Sequence, residues 1–469
     1  MAKIVLINPF CRDVKGTTSA VLIMPPLGLA YMAAVLLKHN HEVQIIDANL
    51  SGIGPERIVE NFSFKPDIVG ISVNIVSYKE AMKYAARIKF AYTHTPLLFG
   101  GPHCLSSAQR ILEKNAAVDA VVIGEGENTL VEIVESLGKK NIFEGLKGVA
   151  YKYQNQIIHN EPRPLIENLD DIPFPAYHLL PNLKRYRSRA RAKPVGYIFT
   201  SRGCPSQCTF CSRNFGTFWR THSPHRVVEE VCYLVKQHGV RQIDILDDNF
   251  TFDINRAAEI LDLLARRCPG IAINLQIGVR VDRVNEELLL KMRKAGVFKI
   301  GFGIESGDQN ILKKAKKGID LDRAIALAGV ARSLGMVTHA YFIIGLPGET
   351  AKTVRKTIDF SLKMNPHYAS FSICTPIPGT ELFAEIKRRG QFLEDVENGI
   401  EGGLFSLKVF FKLDSMLPQE VISHCETAWK KFYMRPSKVI DVLSTVRSMG
   451  ELRWLARIIN DILKTKSKG

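Results

Sequence analysis

Three cysteines, Cys204, Cys208 and Cys211, lie close together in the segment RGCPSQCTFCSR. Thiolates are preferred ligands of zinc and of iron–sulfur clusters, and both kinds of site normally use four protein ligands. The spacing here is C-x3-C-x2-C, so a structural zinc site would need a fourth ligand such as His222 or His225. An iron–sulfur cluster on three cysteines would instead keep one iron open for a substrate or cosubstrate. The segment therefore predicts a metal centre, and both kinds of metal are open at this point.

The three cysteines directly follow a predicted strand, VGYIFTSR. Five more apolar, β-branched runs follow it, with helical patterns between them. They are RQIDILDD (241–248), INLQIGVRV (273–281), FKIGFGIES (298–306), VTHAYFIIGLP (337–347) and YASFSICTP (368–376). Six successive βα units predict a closed or partly open α/β barrel, in which chemistry takes place at the carboxyl ends of the strands. Arg280 and His339 lie within predicted strands and are candidates to face the barrel cavity.

The cysteine segment resembles the signature of the radical S-adenosylmethionine (radical SAM) enzymes, with Phe210 as its aromatic residue. The resemblance implies that the three thiolates hold a [4Fe-4S] cluster whose open iron binds SAM. An electron from the cluster would cleave SAM, and the resulting 5′-deoxyadenosyl radical would take a hydrogen atom from the substrate. The resemblance also places Phe210 near the adenine, and it implies a reduced flavodoxin or a ferredoxin-type electron donor.

Later barrel strands end in motifs similar to those with which this family contacts SAM. DDNF places Asp247, Asp248 and Asn249 near the methionine part of SAM, although acidic residues stand where the family usually has glycines. GIESGD places Glu305 near the ribose, and FIIGLPGE places Gly345 beside the adenine. Asp247 and Asp248 are equally suited to cap helices, and isolated glycine motifs usually form turns.

The first 145 residues alternate strand and helix patterns, which indicates a doubly wound parallel sheet. The predicted strands are KIVLINPF, EVQIIDAN, DIVGISVNIV, PLLFGG and VDAVVIGEG. No GxGxxG fingerprint follows the first strand, so a dinucleotide site is disfavoured.

This half of the chain is similar to the cobalamin-binding domain of many radical SAM enzymes in the loops GGPHCLSS and GEGE. The resemblance assigns five residues to cobalamin: Gly100, Gly101, His103, Gly124 and Gly126. A D-x-H-x-x-G motif, which supplies a histidine to cobalt in other cobalamin proteins, is absent after the second strand, where the sequence is DANLSG (47–52). Cobalamin is therefore expected to bind without that histidine, and a capping or hydrogen-bonding role remains an alternative for His103.

The expected fold is α/β, with a doubly wound parallel sheet, a partial or closed (βα)6 radical SAM barrel and a helical C-terminal region. The expected boundaries are 1–145 for the cobalamin-binding, Rossmann-like domain, 146–190 for a hairpin and linker, 191–400 for the barrel and 401–469 for the helical region.

The formal net charge of +16 is spread along the chain without a long basic block, so a nucleic-acid partner is not expected. Nine cysteines, of which only three cluster, do not resemble a secreted disulfide framework and favour the cytoplasm. Residues 435–469 hold eight Lys/Arg against three Asp/Glu. Arg447, Trp454, Arg457 and Ile458 are candidates for an amphipathic helix on an anionic membrane, and a helix packed on the barrel is the alternative.

The predicted function is that of a cobalamin-dependent radical SAM enzyme that methylates an unactivated carbon of a small or lipid-like substrate. The resemblance includes enzymes of the hopanoid-biosynthesis type and the anaerobic magnesium-protoporphyrin monomethyl ester cyclase, so an oxidative cyclase or a ring-rearranging enzyme is the main alternative. A methylthiotransferase is disfavoured because only Cys11 and Cys104 lie in the N-terminal domain. A non-catalytic, metal-binding regulator is the alternative from another functional class.

Overall fold

The computed structural model describes residues 1–10, 23–186, 190–400 and 407–453, in two compact units. The first unit comprises Met1–Ser188 together with Glu397–Gly403, and the second comprises Arg189–Val396 and Leu404–Gly469. The segment predicted as hairpin and linker, 146–190, belongs to the first unit as far as residue 188.

The first unit is built on a seven-stranded sheet. Its strands are β1 (Lys3–Asn8), β2 (Glu42–Asp47), β3 (Ile68–Ser72), β4 (Leu97–Gly100), β5 (Ala120–Val122), β6 (Val149–Tyr153) and β7 (Gln156–His159). The strand order is β2-β1-β3-β4-β5-β6-β7; the first five are parallel, and β6 and β7 form an antiparallel hairpin at one edge. The five parallel strands predicted from the sequence are confirmed.

The helices of the first unit connect these strands. They are α1 (Leu27–Lys38), α2 (Ala48–Ser51), α3 (Tyr78–Ala91), α4 (Cys104–Lys114) and α5 (Glu127–Glu135). Ile4, Val5 and Ile7 of β1 are fully buried, as expected for a strand in the middle of a parallel sheet that is covered on both faces. In sheets of this kind ligands bind beyond the carboxyl ends of the strands.

The second unit contains a six-stranded parallel sheet in the order β15-β14-β13-β12-β11-β8. Its strands are β8 (Val195–Ile198), β11 (Gln242–Ile245), β12 (Ala272–Leu275), β13 (Val297–Glu305), β14 (Val337–Ile344) and β15 (Tyr368–Ile373), and a short antiparallel pair consists of β9 (Ser201–Arg202) and β10 (Arg220–Thr221). Among the described residues β8 and β15 are the two edges, so the barrel is partial. A strand overlaps each of the six predicted runs, but β12 ends at Leu275, so the prediction that Arg280 lies within a strand was wrong.

The helices of the second unit alternate with its strands and continue into the C-terminal region. They are α6 (Pro224–His238), α7 (Ile254–Arg267), α8 (Glu286–Ala295), α9 (Gln309–Lys314), α10 (Leu321–Ser333), α11 (Ala351–Met364), α12 (Glu381–Arg389), α13 (Pro418–Tyr433) and α14 (Pro436–Leu443). Local sequence determines where many of them begin. Side-chain oxygens of Ser223, Asp253, Asn285 and Asp320 accept hydrogen bonds from the first turns of α6, α7, α8 and α10.

The two faces of β15 differ in burial. Ala369, Phe371 and Ile373 are buried, whereas the residues that alternate with them are partly exposed. Phe371 packs against Trp429 and Phe432 of α13. Because side chains alternate along a strand, the partly exposed residues lie on the face of β15 opposite α13, toward the barrel interior. Among the described helices, none is both long enough and apolar enough to cross a membrane.

Candidate active site

The three cysteines lie in a loop that follows β9, at the carboxyl end of the first barrel strand. Cys208 is buried, Cys204 is half-buried and Cys211 is exposed. The loop begins at Gly203, whose φ of +87° favours glycine, and a Cβ added there would lie 2.3 Å from the carbonyl oxygen of Phe218. The backbone N–H of Cys211 donates to the carbonyl oxygen of Cys208 at 3.2 Å. The loop path therefore depends on a glycine directly before the first cysteine.

Two side chains donate hydrogen bonds to the cysteine sulfurs. Asn249 Nδ2 lies 3.9 Å from Cys204 Sγ, and Arg280 Nη1 lies 3.7 Å from Cys208 Sγ. N–H donors and positive charge stabilise a thiolate, which is the form that binds metal. The side chain of Asn249 is fully buried, and its Oδ1 has no hydrogen-bond partner within the described part of the chain. A buried amide oxygen without a hydrogen-bond partner destabilises the folded protein, so this oxygen is suited to accept a hydrogen bond from a bound ligand. The donor set fits the predicted cluster and SAM.

A structural zinc site would need a fourth ligand beside the three cysteines. Among the described residues, no three His, Cys, Asp or Glu side chains, the three cysteines included, converge on a single metal ion, so this geometry does not separate zinc from a cluster. The backbone of His222, one of the two candidate fourth ligands, pairs with the β8 end: its N–H donates to Thr200 O at 3.0 Å, and its carbonyl oxygen accepts from Arg256 Nη2 at 2.8 Å.

The residues that follow β11 lie beside the cysteine loop, in different environments. Asp247 is buried, and its oxygens accept from Thr200 N and Ser201 Oγ, each at 2.6 Å, which ties the end of β11 to the end of β8. Burial raises the pKa of this carboxyl group. Solvent reaches Asp248, yet protein atoms crowd its carboxylate. This crowding and the neighbouring charge of Asp247 raise the pKa of Asp248 to about 6, while the Gly203 N–H donates to it. Asp248 is thus the accessible carboxylate at this strand end.

Glu305 ends β13 in an unusual backbone conformation. Its φ is +71°, and the register of β13 against β14 shifts between Gly303 and Glu305. A positive φ costs a residue other than glycine about 1–2 kcal/mol, and such strain is concentrated at functional sites. The carboxylate accepts from Lys317 Nζ at 2.8 Å in a buried ion pair. Arg280 Nη2, in turn, donates to the carbonyl oxygen of Lys317 at 2.7 Å.

The structure brings the Gly345 turn close to Phe210. The backbone N–H groups of Gly345 and Leu346 donate to one oxygen of buried Glu349, at 2.7 and 3.1 Å. Burial raises the pKa of Glu349 to about 7. Phe210 packs against an apolar cluster that contains Leu346 and Cys374. The aromatic residue of the cysteine segment therefore lies near the turn after β14, although the two are far apart in the sequence.

In the first unit the five residues assigned to cobalamin lie at the carboxyl ends of β4 and β5. Gly101 has φ +100°, and a Cβ there would lie 2.8 Å from the carbonyl oxygen of Val73, so the loop after β4 runs against the loop after β3. His103 is buried, with its ring centroid 4.6 Å from that of Tyr78, and burial lowers the pKa of the imidazole to about 4. Gly100 ends β4.

Two buried polar atoms in this region, His103 Nε2 and Ser107 Oγ, have no hydrogen-bond partner within the described part of the chain. Gly124 and Gly126 follow β5, and a Cβ on Gly126 would lie 2.9 Å from Met32 Sδ. Unpaired polar atoms and glycine loops at the ligand-binding edge of a doubly wound sheet fit a large polar ligand such as cobalamin. The imidazole of His103 also donates a hydrogen bond to the backbone of Glu397.

Two residues of these sites were not predicted, Lys317 and Ser107. Lys317 follows Lys313, Lys314 and Lys316, and nothing in the local pattern separates it from those lysines. Only the irregular end of β13 places it against Glu305. Arg280 was predicted as a residue that could face the cavity, but its bond to Cys208 joins residues 72 positions apart and carries no sequence signal.

Comparisons with known proteins match both units of the chain to protein families. The Radical SAM superfamily model matches residues 198–361, and the B12 binding domain model matches residues 15–134. An uncharacterized methyltransferase of Pyrococcus horikoshii is 35% identical over 456 residues, which is 93% of this chain and 94% of the relative. The anaerobic magnesium-protoporphyrin IX monomethyl ester cyclase of Rubrivivax gelatinosus is 27% identical over 417 residues, covering 87% of this chain and 74% of the relative.

A solved structure shares the fold of the whole chain. The radical S-adenosylmethionine methyltransferase of Kitasatospora setae, with cobalamin and a [4Fe-4S] cluster bound, aligns with a TM-score of 0.76 over 100% of both chains at 18% identity.

Proposed function

Because the chain belongs to the radical SAM superfamily, in the group that also carries a B12-binding domain, we propose that it transfers a methyl group to an unactivated carbon of a small or lipid-like substrate. The similarity to a methyltransferase over nearly the full length of both chains supports methyl transfer. The sequence identity to the magnesium-protoporphyrin cyclase is lower, at 27%, so oxidative cyclisation is the second candidate function.

The observation that carries this proposal is the cysteine loop at the carboxyl end of the first barrel strand. Cys204, Cys208 and Cys211 would hold the [4Fe-4S] cluster, with Asn249 and Arg280 donating to two of the sulfurs. When bound, the cluster supplies the electron that cleaves SAM, and cobalamin supplies the methyl group.

The strand ends around the loop would bind SAM. Asp248 is the accessible carboxylate for the methionine amine, and Asn249 presents an unpaired amide oxygen. Glu305, already fixed by an ion pair, would accept from the ribose, while Phe210 and the Gly345 turn would border the adenine. Asp247 contributes by holding the ends of β8 and β11 together. These side chains would orient SAM at the carboxyl ends of the barrel strands, where chemistry takes place in such folds.

In the first unit, cobalamin would lie at the carboxyl ends of β4 and β5. Gly100, Gly101, Gly124 and Gly126 would allow its close approach, and His103 would contact it as a hydrogen-bonding group. The buried imidazole packs against Tyr78 and bonds to the backbone of Glu397, and its Nε2, without a partner in the described part of the chain, is free for a hydrogen bond with the ligand.

We also propose a reduced flavodoxin or ferredoxin-type protein as electron donor. Such carriers are acidic, and the formal net charge of +16 on this chain would attract them.

Helix α14 supports a contact with an anionic membrane. Its apolar residues Val439, Ile440 and Leu443 are 51%, 69% and 50% exposed, whereas its charged Lys438 is 1% exposed and donates to the carbonyl oxygen of Pro366. Helix α14 thus presents apolar side chains outward in a region with excess positive charge, the composition of interfacial segments. Of the residues predicted for this contact, Arg447 is exposed, and Trp454, Arg457 and Ile458 lie outside the described residues.

Vesicle sedimentation tests this membrane proposal. Binding to vesicles with anionic lipid, and weaker binding to purely zwitterionic vesicles, is expected. The substitution Ile440→Asp should reduce the bound fraction severalfold, while Val235→Asp, at an exposed position of α6, should not. Equal sedimentation with and without vesicles, together with concentration-dependent self-association, would instead indicate a second copy of the chain on this face.

Product analysis tests the proposed reaction. The reconstituted protein with SAM and a strong reductant should form 5′-deoxyadenosine, and with its substrate it should form S-adenosylhomocysteine and a methylated product. Cys208→Ala should abolish both the visible absorption of the cluster and the cleavage of SAM, whereas Cys425→Ala, at a buried cysteine of α13, should retain both. Turnover without S-adenosylhomocysteine or a methylated product would favour cyclisation, and failure to bind iron would contradict both functions.

A further inference from the structure

Arg280 joins three parts of the second unit through one guanidinium group. Nη1 lies 3.7 Å from Cys208 Sγ, Nη2 donates to the carbonyl oxygen of Lys317 at 2.7 Å, and Nε donates to Asp282 Oδ1 at 3.0 Å. The side chain is 13% exposed. All three nitrogens have partners, and the guanidinium group is planar, so these three contacts fix its orientation.

Lys317 extends this connection to Glu305. The two side chains are 8% and 10% exposed, and their charged atoms are 2.8 Å apart. A buried ion pair is sensitive to its geometry, because each partner left alone is a desolvated charge. The bond from Arg280 to the Lys317 carbonyl therefore helps to place an ammonium group on which the orientation of Glu305 depends.

We propose that Arg280 is a positioning residue with two effects: it raises the reduction potential of the cluster held by Cys208, and it fixes Glu305 through Lys317 for SAM. This proposal rests on the proposed function, since it presupposes a cluster on the three cysteines. Reduction adds one electron to the cluster, and a positively charged hydrogen-bond donor on a ligating sulfur stabilises that additional negative charge. The two effects separate experimentally, because only the first involves the sulfur.

A redox titration of the reconstituted protein, followed by the electron paramagnetic resonance of the reduced cluster, measures the first effect. With Arg280→Met, the ratio of reduced to oxidised cluster at a fixed solution potential should fall about tenfold, which corresponds to about 59 mV for a one-electron couple. Arg280→Lys keeps the positive charge but loses the planar guanidinium group with its several donors, so a smaller decrease in the reduction potential is expected.

Lys317→Met tests the second effect. It removes the partner of Glu305 and leaves the Arg280–Cys208 contact in place. The cluster potential should stay at the wild-type value, while the SAM concentration that half-saturates the change in the cluster spectrum should rise about tenfold. A lowered potential in this variant would contradict the separation of the two effects.

Arg323→Met is the matched control. Arg323 is exposed and also donates to a backbone carbonyl, that of Val284, at 2.7 Å. It should leave both the potential and the half-saturating SAM concentration unchanged. If Arg280→Met fails to hold iron, the reduction potential of Arg280→Lys provides the test instead. A wild-type reduction potential in an iron-replete variant of Arg280 would overturn the proposal. Both readouts need no substrate, so a protein that never methylates a product would refute the proposed function while still reporting on Arg280.

Discussion

Replacing Gly203 by alanine tests whether the loop geometry is needed for the metal centre. A residue other than glycine at φ +87° costs about 1–2 kcal/mol. The added Cβ would also lie 2.3 Å from the carbonyl oxygen of Phe218, more than 1 Å inside the 3.4 Å at which ordinary contact begins. Relieving an overlap of this kind typically costs about 1–3 kcal/mol. We therefore expect Gly203→Ala to lower the free energy of unfolding by about 2–5 kcal/mol and to displace the backbone next to Cys204.

Gly239→Ala provides the matched control for this substitution. Gly239 has φ +62° at the end of α6, and a Cβ there would meet no atom within 4 Å. Only the conformational cost of about 1–2 kcal/mol should appear, and iron content should stay at the wild-type level. Urea denaturation of the apoprotein and iron analysis after reconstitution provide the two measurements. Equal stability of the two variants, with full iron in Gly203→Ala, would refute the argument.

Two further predictions concern buried charges. Burial raises the pKa of Glu349 from 4.5 to about 7. The folded protein therefore holds this proton more tightly than the unfolded chain does. The free energy of unfolding should fall by up to about 3 kcal/mol as the pH rises from about 4.5 through 7. Glu349→Gln should flatten that slope in urea denaturation between pH 5 and 8; an unchanged slope would contradict the assignment. Asp441→Ala should lower the free energy of unfolding by about 3–5 kcal/mol, because it removes the carboxylate that lies 2.6 Å from the buried ammonium group of Lys438. Asp322→Ala removes an exposed ion pair with Lys363 at 3.8 Å and should lower the free energy of unfolding by less than about 1 kcal/mol. Equal decreases for the Asp441 and Asp322 variants would refute the role of burial.

The strands could be predicted because burial on both faces of a parallel sheet leaves a continuous apolar run in the sequence. The run KIVLIN of β1 illustrates this, with Ile4, Val5 and Ile7 fully buried. Helix starts were equally local, since a single polar side chain such as Asp253 caps the first turn of α7.

The grouping of the chain into units was less accessible from sequence, because it depends on contacts between distant residues. Glu397 was expected within the barrel region 191–400, yet the structure groups Glu397–Gly403 with the first unit. Arg110 Nη1 pairs with the carboxylate of Glu397 at 3.2 Å, and the N–H of Ile400 donates to the carbonyl oxygen of Ile75 at 3.0 Å. Neither contact produces a periodic pattern.

The orientation of α14 was equally hidden. A pattern-based prediction places apolar side chains inward and charged ones outward. Here Lys438 points inward, because the carbonyl oxygen of Pro366 and the carboxylate of Asp441 satisfy its ammonium group, and Ile440 points outward. Asp441 lies one turn along the same helix, but the carbonyl oxygen of Pro366 comes from the segment before β15, and no local pattern records that contact.

The candidate site shows the same division between local motif and distant contact. Cys204, Cys208 and Cys211 were identifiable because metal ligands on one loop must be close in sequence. The groups that prepare these ligands come from the ends of other strands, as Asn249 follows β11 and Arg280 follows β12. A barrel makes this possible, because successive parallel strands end at one rim and bring residues of large sequence separation together. The motif therefore predicts which group is bound, whereas the proposed effect on how readily that group accepts an electron depends on strand ends that are distant in the sequence.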